Sequence, residues 1–158
     1  MQGNLANTYE ELGRLEAAMR LKRDVYSGYL KLFGKDSERT LLAGNNYTNS
    51  LASLRRFEEA KSFLRKTIPV ARRVLEDSDP TTLRMRGTYA RVLHKDPAAT
   101  LDDLREATTT LEDTARTARR VLGGAHPLTG VIECHLQQSR AALSARETPP
   151  PGDPLGSA

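Results

Sequence analysis

Three long stretches of the chain place apolar residues three and four apart, the spacing of an amphipathic helix. They run through Leu15, Ala18, Leu21, Val25, Tyr26, Tyr29, Leu32 and Phe33; through Phe57, Ala60, Phe63, Leu64, Ile68, Ala71, Val74 and Leu75; and through Leu104, Ala107, Leu111, Ala115, Ala118, Val121 and Leu122. Each predicts a long helix, here the B helix of a unit, with one buried stripe. A shorter apolar series precedes each one: Leu5, Tyr9 and Leu12; Tyr47, Leu51 and Leu54; Tyr89 and Leu93. These predict A helices. Small residues at Ala18, Ala60 and Ala107 fall early in the B helices, where an A helix can approach closely.

The pairs repeat. Leu12-Gly13-Arg14-Leu15-Glu16-Ala17-Ala18 returns 42 residues later as Leu54-Arg55-Arg56-Phe57-Glu58-Glu59-Ala60. Ala71-Arg72-Arg73-Val74-Leu75 returns unchanged 47 residues later as Ala118-Arg119-Arg120-Val121-Leu122. Periods of this size mean stacked supersecondary units that share a continuous core. The expected architecture is therefore all-α, built from antiparallel helix pairs.

The punctuation fits these units. Ser37 and Glu38 suit the start of the second A helix, and Gly34 and Gly123 suit the ends of B helices. Asp79-Pro80 and Asp96-Pro97 each read as a capping side chain before a proline at the first helical position. The stretch 96–100 carries five extra residues in the third unit. Pro69 lies inside the second B helix and predicts a kink near Arg65. Pro127 opens a last helix over about Leu128 to Ala145. The expected organisation is a helical repeat domain over 1–146, with repeats at about 1–36, 37–78 and 79–125, and a capping helix at 127–146. The Pro- and Gly-rich segment 147–158 is expected to be disordered. The first A helix is about a turn short of the second, which suggests an incomplete first repeat or a piece of a longer array.

Period alone also fits HEAT and armadillo pairs of ~40–47 residues. The local motifs discriminate. Leu12-Gly13-Arg14-Leu15-Glu16-Ala17-Ala18 and Arg56-Phe57-Glu58-Glu59-Ala60 resemble the turn between the two helices of a tetratricopeptide repeat. Leu32-Phe33-Gly34-Lys35-Asp36, Val74-Leu75-Glu76-Asp77-Ser78-Asp79-Pro80-Thr81-Thr82 and Val121-Leu122-Gly123-Gly124-Ala125-His126-Pro127-Leu128-Thr129 resemble the linkers of kinesin light chain-like 42-residue repeats. Asn45-Asn46-Tyr47 is similar to the paired Asn that opens A helices in that family. Arg55 departs from the pattern, since the turn usually carries Gly. The resemblance implies a right-handed α-solenoid of about three repeats plus a C-terminal cap, whose A helices line a concave groove that holds a peptide.

Candidate binding residues follow from the register. Asn4 and Asn46 are equivalent positions, as are Asn7 and Asn49. A side-chain amide donates and accepts at once, which suits clamping a peptide backbone; the alternative is an Asn that faces solvent or bonds a neighbouring helix. The resemblance assigns the clamp to Asn46 and Asn4. The third A helix is basic, with Arg84, Arg86, Arg91, His94 and Lys95. Arg91 stands in register with Asn49, where a guanidinium suits an acidic side chain; a solvated basic face is the competing account. Peptide-binding candidates are thus Asn4, Asn7, Asn46, Asn49, Arg84 and Arg91. The family's ligands imply an acidic peptide with an aromatic anchor.

Composition changes this picture little. In 158 residues, 24 Lys and Arg face 20 Asp and Glu, a net charge of +4. Hydrophobic residues make up 38% and aromatics 5%, with no Trp, which suits thin Ala- and Leu-rich layers. No phosphate-binding glycine loop, nucleophile elbow or paired metal-ligand spacing occurs, so no enzyme, cofactor or metal is expected. His126 precedes Pro127 and reads as structural, and Cys134 and His135 are neighbours that point about 100° apart on a helix, a poor metal pair. No apolar run approaches the ~20 residues that cross a bilayer. A single cysteine and the absence of a basic-then-apolar start at Met1-Gln2-Gly3-Asn4 lead to a cytoplasmic expectation. Two alternatives stay open: a structural piece of a longer array that self-associates through open repeat ends, and a nucleic-acid binder. The near balance of charge and the lack of a stacking series count against the second.

Overall fold

The computed structural model describes residues 2–148 and 151–152, with side chains from Glu11 onward and that of Thr8. Among them are six helices and no strand: α1 (Gln2–Phe33), α2 (Glu38–Ser53), α3 (Phe57–Leu75), α4 (Pro80–Lys95), α5 (Leu101–Leu122) and α6 (Pro127–Glu147). Most of the tail expected to be disordered lies outside the described residues.

Helix ends follow from the residues that flank them. Asp79 accepts a hydrogen bond from the Thr81 amide, with Pro80 at the first helical position of α4. His126 does the same for the Leu128 amide ahead of Pro127 in α6, at 3.1 Å. Asp96-Pro97 does not open a helix, contrary to expectation. Asp96 ends α4 and accepts from the Ala98 amide, and α5 starts after Thr100, whose hydroxyl and Asp103 form a reciprocal capping box. The competing cap is the better one, because both orphan amides are satisfied together. Helix α3 is continuous through Pro69.

B-helix ends share one geometry across repeats. Gly34, Glu76 and Gly123 are equivalent positions, and all three have positive φ, at 79°, 72° and 88°. Glycine takes this conformation freely, whereas Glu76, at ψ 164°, is held there against a cost on the order of 1–3 kcal/mol. A second shared device was not expected. Thr40 donates its hydroxyl to the Tyr29 carbonyl at 3.2 Å, and its equivalent Thr82 donates to Ala71 at 3.5 Å, stitching each A helix to the preceding B helix. Thr129 stands at the third such position, fully buried, with no hydrogen-bond partner for its hydroxyl in the structure.

The first repeat departs from expectation. Helix α1 runs unbroken through Gly13, where a turn was predicted, so the first A and B helices form one rod of 32 residues. The α2–α3 turn does form, through Arg55 at φ 61° with the Arg56 amide bonded to the Leu51 carbonyl.

Packing shows which side is concave. Helices α2, α4 and α6 lie side by side, α2 against α4 and α4 against α6, whereas the backbones of α1, α3 and α5 do not approach one another. The layer α2–α4–α6 is therefore inside the curve and the B layer splays around the outside. The main core joins the layers through Leu64, Leu83, Met85, Ala90, Leu93, Leu111 and Ile132. A smaller cluster of Met19, Leu51, Ala60 and Val92 sits under the α2–α3 turn. Gly44 lets Phe63 and Tyr26 press against α2; a Cβ there would meet the Phe63 ring at 2.9 Å. Two threonines of α5 are structural: Thr108 and Thr114 bond the carbonyls one turn back, and Thr108 also reaches the buried Ser139 of α6 at 2.9 Å.

Candidate peptide-binding groove

Two recesses open on the α2–α4–α6 side. The first, about 360 Å³, is walled by Asn46 and Asn49 of α2, by Arg84, Gly87, Thr88 and Arg91 of α4, and by His126, Val131, Ile132 and His135 of the α6 segment. No carboxylate lines it. The second, about 410 Å³, is more apolar: Val25 and Tyr29 of α1, Leu42 and Ala43 of α2, with Lys22 and Arg39 at its edge. Asn46 borders both.

Four of the six candidate residues, Asn46, Asn49, Arg84 and Arg91, thus come together around one recess. Asn49 and Arg91, 42 residues apart, also touch: the Arg91 guanidinium donates to Asn49 Oδ1 at 2.6 Å. That bond occupies one of five donors on Arg91. Burial lowers the Arg91 pKa from its ordinary value, and among the described residues neither Arg84 nor Arg91 forms an ion pair. The side chains of Asn4 and Asn7 lie outside the described ones, and the helix that carries them is part of the α1 rod. Arg86 was grouped with the basic face by sequence, but it points to α5 and pairs with Asp113 at 2.5 Å. An Arg at i+2 from Arg84 lands on another side of the helix, so the basic run divides between groove and outer layer.

The sequence reading missed the α6 wall and the apolar recess. His126 was read as a linker residue, and it both caps α6 and lines the first recess. Val25 and Tyr29 were assigned to the buried stripe of a B helix, yet both are over a third exposed. His94 and His135 face each other across α4 and α6 with ring centroids 5.9 Å apart. His94 Nε2 and His135 Nδ1 are buried without partners. Burial, then His135, Lys95 and Arg91, pushes the His94 pKa down to about 4. Burial and the same two cations also lower His135. This environment repels a metal cation, and no group of three or more metal-ligating side chains occurs among the described residues.

Stacked helix pairs with an inner layer open to solvent define the class: a helical repeat scaffold. The chain belongs to the tetratricopeptide repeat family, whose profile matches residues 1–38 and 40–81, just over half of it. No curated protein matches it. Tetratricopeptide repeats generally mediate protein–protein interaction. No helix among the described residues is long and apolar enough to cross a membrane.

Proposed function

We propose that this protein is a cytoplasmic adaptor, without catalytic activity, that holds an acidic peptide segment with an aromatic anchor in its inner groove. One observation carries the reading: an apolar recess and a basic recess meet at Asn46, and neither contains a carboxylate. An aromatic or aliphatic side chain entering between Val25, Tyr29 and Leu42 removes apolar area from water, at roughly 25 cal/mol per Å². An acidic side chain beside it meets Arg84 and the four free donors of Arg91. Asn46, between the two, clamps the intervening backbone. Lys22 and Arg39 extend the positive potential and favour encounter with an acidic segment. The linkers and the 42-residue spacing of the first two repeats support the kinesin light chain-like type. We take residues 1–146 as one repeat domain in which 127–146 acts as the cap.

Fluorescence polarisation with labelled acidic peptides, each bearing one aromatic residue, tests this reading. Saturable binding is expected, weakened at least tenfold by Asn46→Ala combined with Arg91→Ala, and weakened by salt. Absence of binding to any such peptide, or equal binding by the double variant, contradicts it.

A further inference from the structure

The chain supplies counter-ions to the arginines of α4 unevenly. Arg86 turns to α5 and is given Asp113, whereas Arg84 and Arg91 line the basic recess and are given none. The carboxylates of the inner layer are engaged elsewhere. Helix α4 carries none, and Glu38 of α2 accepts from the Thr81 hydroxyl. In α6, Glu133 pairs with Arg119 and Glu147 with Arg105. Arg91 also borders a further recess with Arg55 and Lys95, again without a carboxylate. Burial lowers the Arg91 pKa, and no anion of the chain restores it. A part-buried guanidinium without a counter-ion is a cost to the fold, offset when a ligand brings the missing charge.

Resting on the acidic-peptide reading, we propose that the acidic group held by the basic recess is a phosphate monoester, carried on a phosphoserine or phosphothreonine of the peptide. Charge separates it from a carboxylate. Two unpaired guanidiniums face the recess; Glu or Asp brings one negative charge, and a phosphorylated side chain brings close to two at neutral pH. Donors agree. Arg84 offers five N–H groups and Arg91 four, which the three terminal oxygens of a phosphate use more fully than the two of a carboxylate. Arg84, Thr88 and Arg91 share one face of α4, and the two arginines stand about 10 Å apart along its axis. Two arginine side chains close on a phosphate across that distance, with Gly87 between them bringing no side chain to the floor. Asn49, whose Oδ1 is held by Arg91, keeps its amide NH2 for a phosphate oxygen. On the far wall, His126, Pro127 and Leu128 form the start of α6, the positive end of its dipole. The position of the phosphate in the peptide follows. Leu42 lines the apolar recess and Asn49 the basic one, also about 10 Å apart along α2. An extended peptide covers that in about three residues, so the phosphorylated residue stands about three from the aromatic anchor.

Fluorescence polarisation of the full chain with three labelled peptides tests this. They share one sequence with a single phenylalanine and differ only three residues from it, where they carry Ser, Glu or phosphoserine. The phosphoserine peptide is expected to bind at least tenfold tighter than the Glu peptide. Arg84→Gln, at an exposed position, is expected to cut that preference below threefold with the melting temperature unchanged, and Arg91→Gln to cut it likewise. Moving the phosphoserine to one or six residues from the phenylalanine is expected to weaken binding at least tenfold. Equal affinity for the Glu and phosphoserine peptides overturns the phosphate assignment and leaves the acidic-peptide groove standing. No binding by either overturns both. A preference that survives Arg84→Gln and Arg91→Gln places the phosphate outside this recess and overturns the assignment. So does a single-stranded RNA oligonucleotide that displaces the phosphopeptide and binds more tightly, which would give the basic face to nucleic acid.

Discussion

Lys61 and Asp96 are both at least nine-tenths buried and meet at 3.0 Å, across the 35 residues between α3 and the end of α4. Asp96 also accepts from the Ala98 amide, and Glu58 reaches Lys61 from the surface. Burial pushes the Lys61 pKa down, but its bonds to Glu58 and Asp96 outweigh this and the net shift is upward. Its contribution therefore holds across neutral pH and is lost only as pH climbs past the ordinary lysine value of 10.5. Lys61→Met leaves a buried carboxylate unpaired and is expected to cost about 3–5 kcal/mol by urea denaturation. Adding Asp96→Asn is expected to recover much of that, and equal losses in the single and double variants would deny the coupling. His94 works in the opposite sense. Its folded pKa of about 4 lies below the ordinary 6.5, so the unfolded chain binds the extra proton first. Stability is expected to fall as pH drops from 6.5 towards 4, and His94→Gln to flatten that limb of a thermal-melting series. An unchanged limb would place the acid sensitivity elsewhere, with His135 the next group to examine.

At the scale of single elements, turn geometry belongs to the repeat more than to the residue. Glu76 holds a positive φ that glycine holds at the equivalent Gly34 and Gly123, and Arg55 holds one where the equivalent Gly13 stays helical. Glu76→Gly is expected to raise unfolding free energy by about 0.5–1 kcal/mol, since the strain relieved exceeds the added freedom of the unfolded chain. A loss would mean that the glutamate side chain stabilises the turn. Ala60 is fully buried where α2 crosses α3. Ala60→Leu is expected to cost about 1–3 kcal/mol by forcing the two apart; an unchanged melting temperature would contradict that packing. Helices α2 to α6 were legible because periodic stripes, capping residues and the 42- and 47-residue spacings agree. The α1 turn was not. Residues around Gly13 are otherwise good helix formers, and one glycine inside a helix costs only about 1 kcal/mol against alanine, too little to break it without a covering partner. The start of α5 was misplaced because Asp96 serves Lys61 and the Ala98 amide, while Thr100 and Asp103 make the cap.

Across the whole molecule, the inner layer is where the proposed groove lies and where the sequence was unevenly legible. Asn46, Asn49, Arg84 and Arg91 were legible because a recurring register puts equivalent residues on one face, and Arg91 and Asn49 do touch. The apolar recess and the His135 wall were not, because they need α1 and α6 brought beside α2 and α4, which no local pattern encodes. At the surface the outer layer is also tied by ion pairs such as Arg73 with Asp36 and Arg119 with Glu133, each worth under about 1 kcal/mol. The central claim is that one peptide spans both recesses. A two-dimensional amide NMR titration of the labelled protein with the tightest acidic aromatic peptide tests it most directly. The account predicts concerted shifts at Val25, Leu42, Asn46 and Arg91, with the Asn46 side-chain amide among the largest and α5 unmoved. Shifts confined to one recess, or mapped onto the outer faces of α3 and α5, would contradict it.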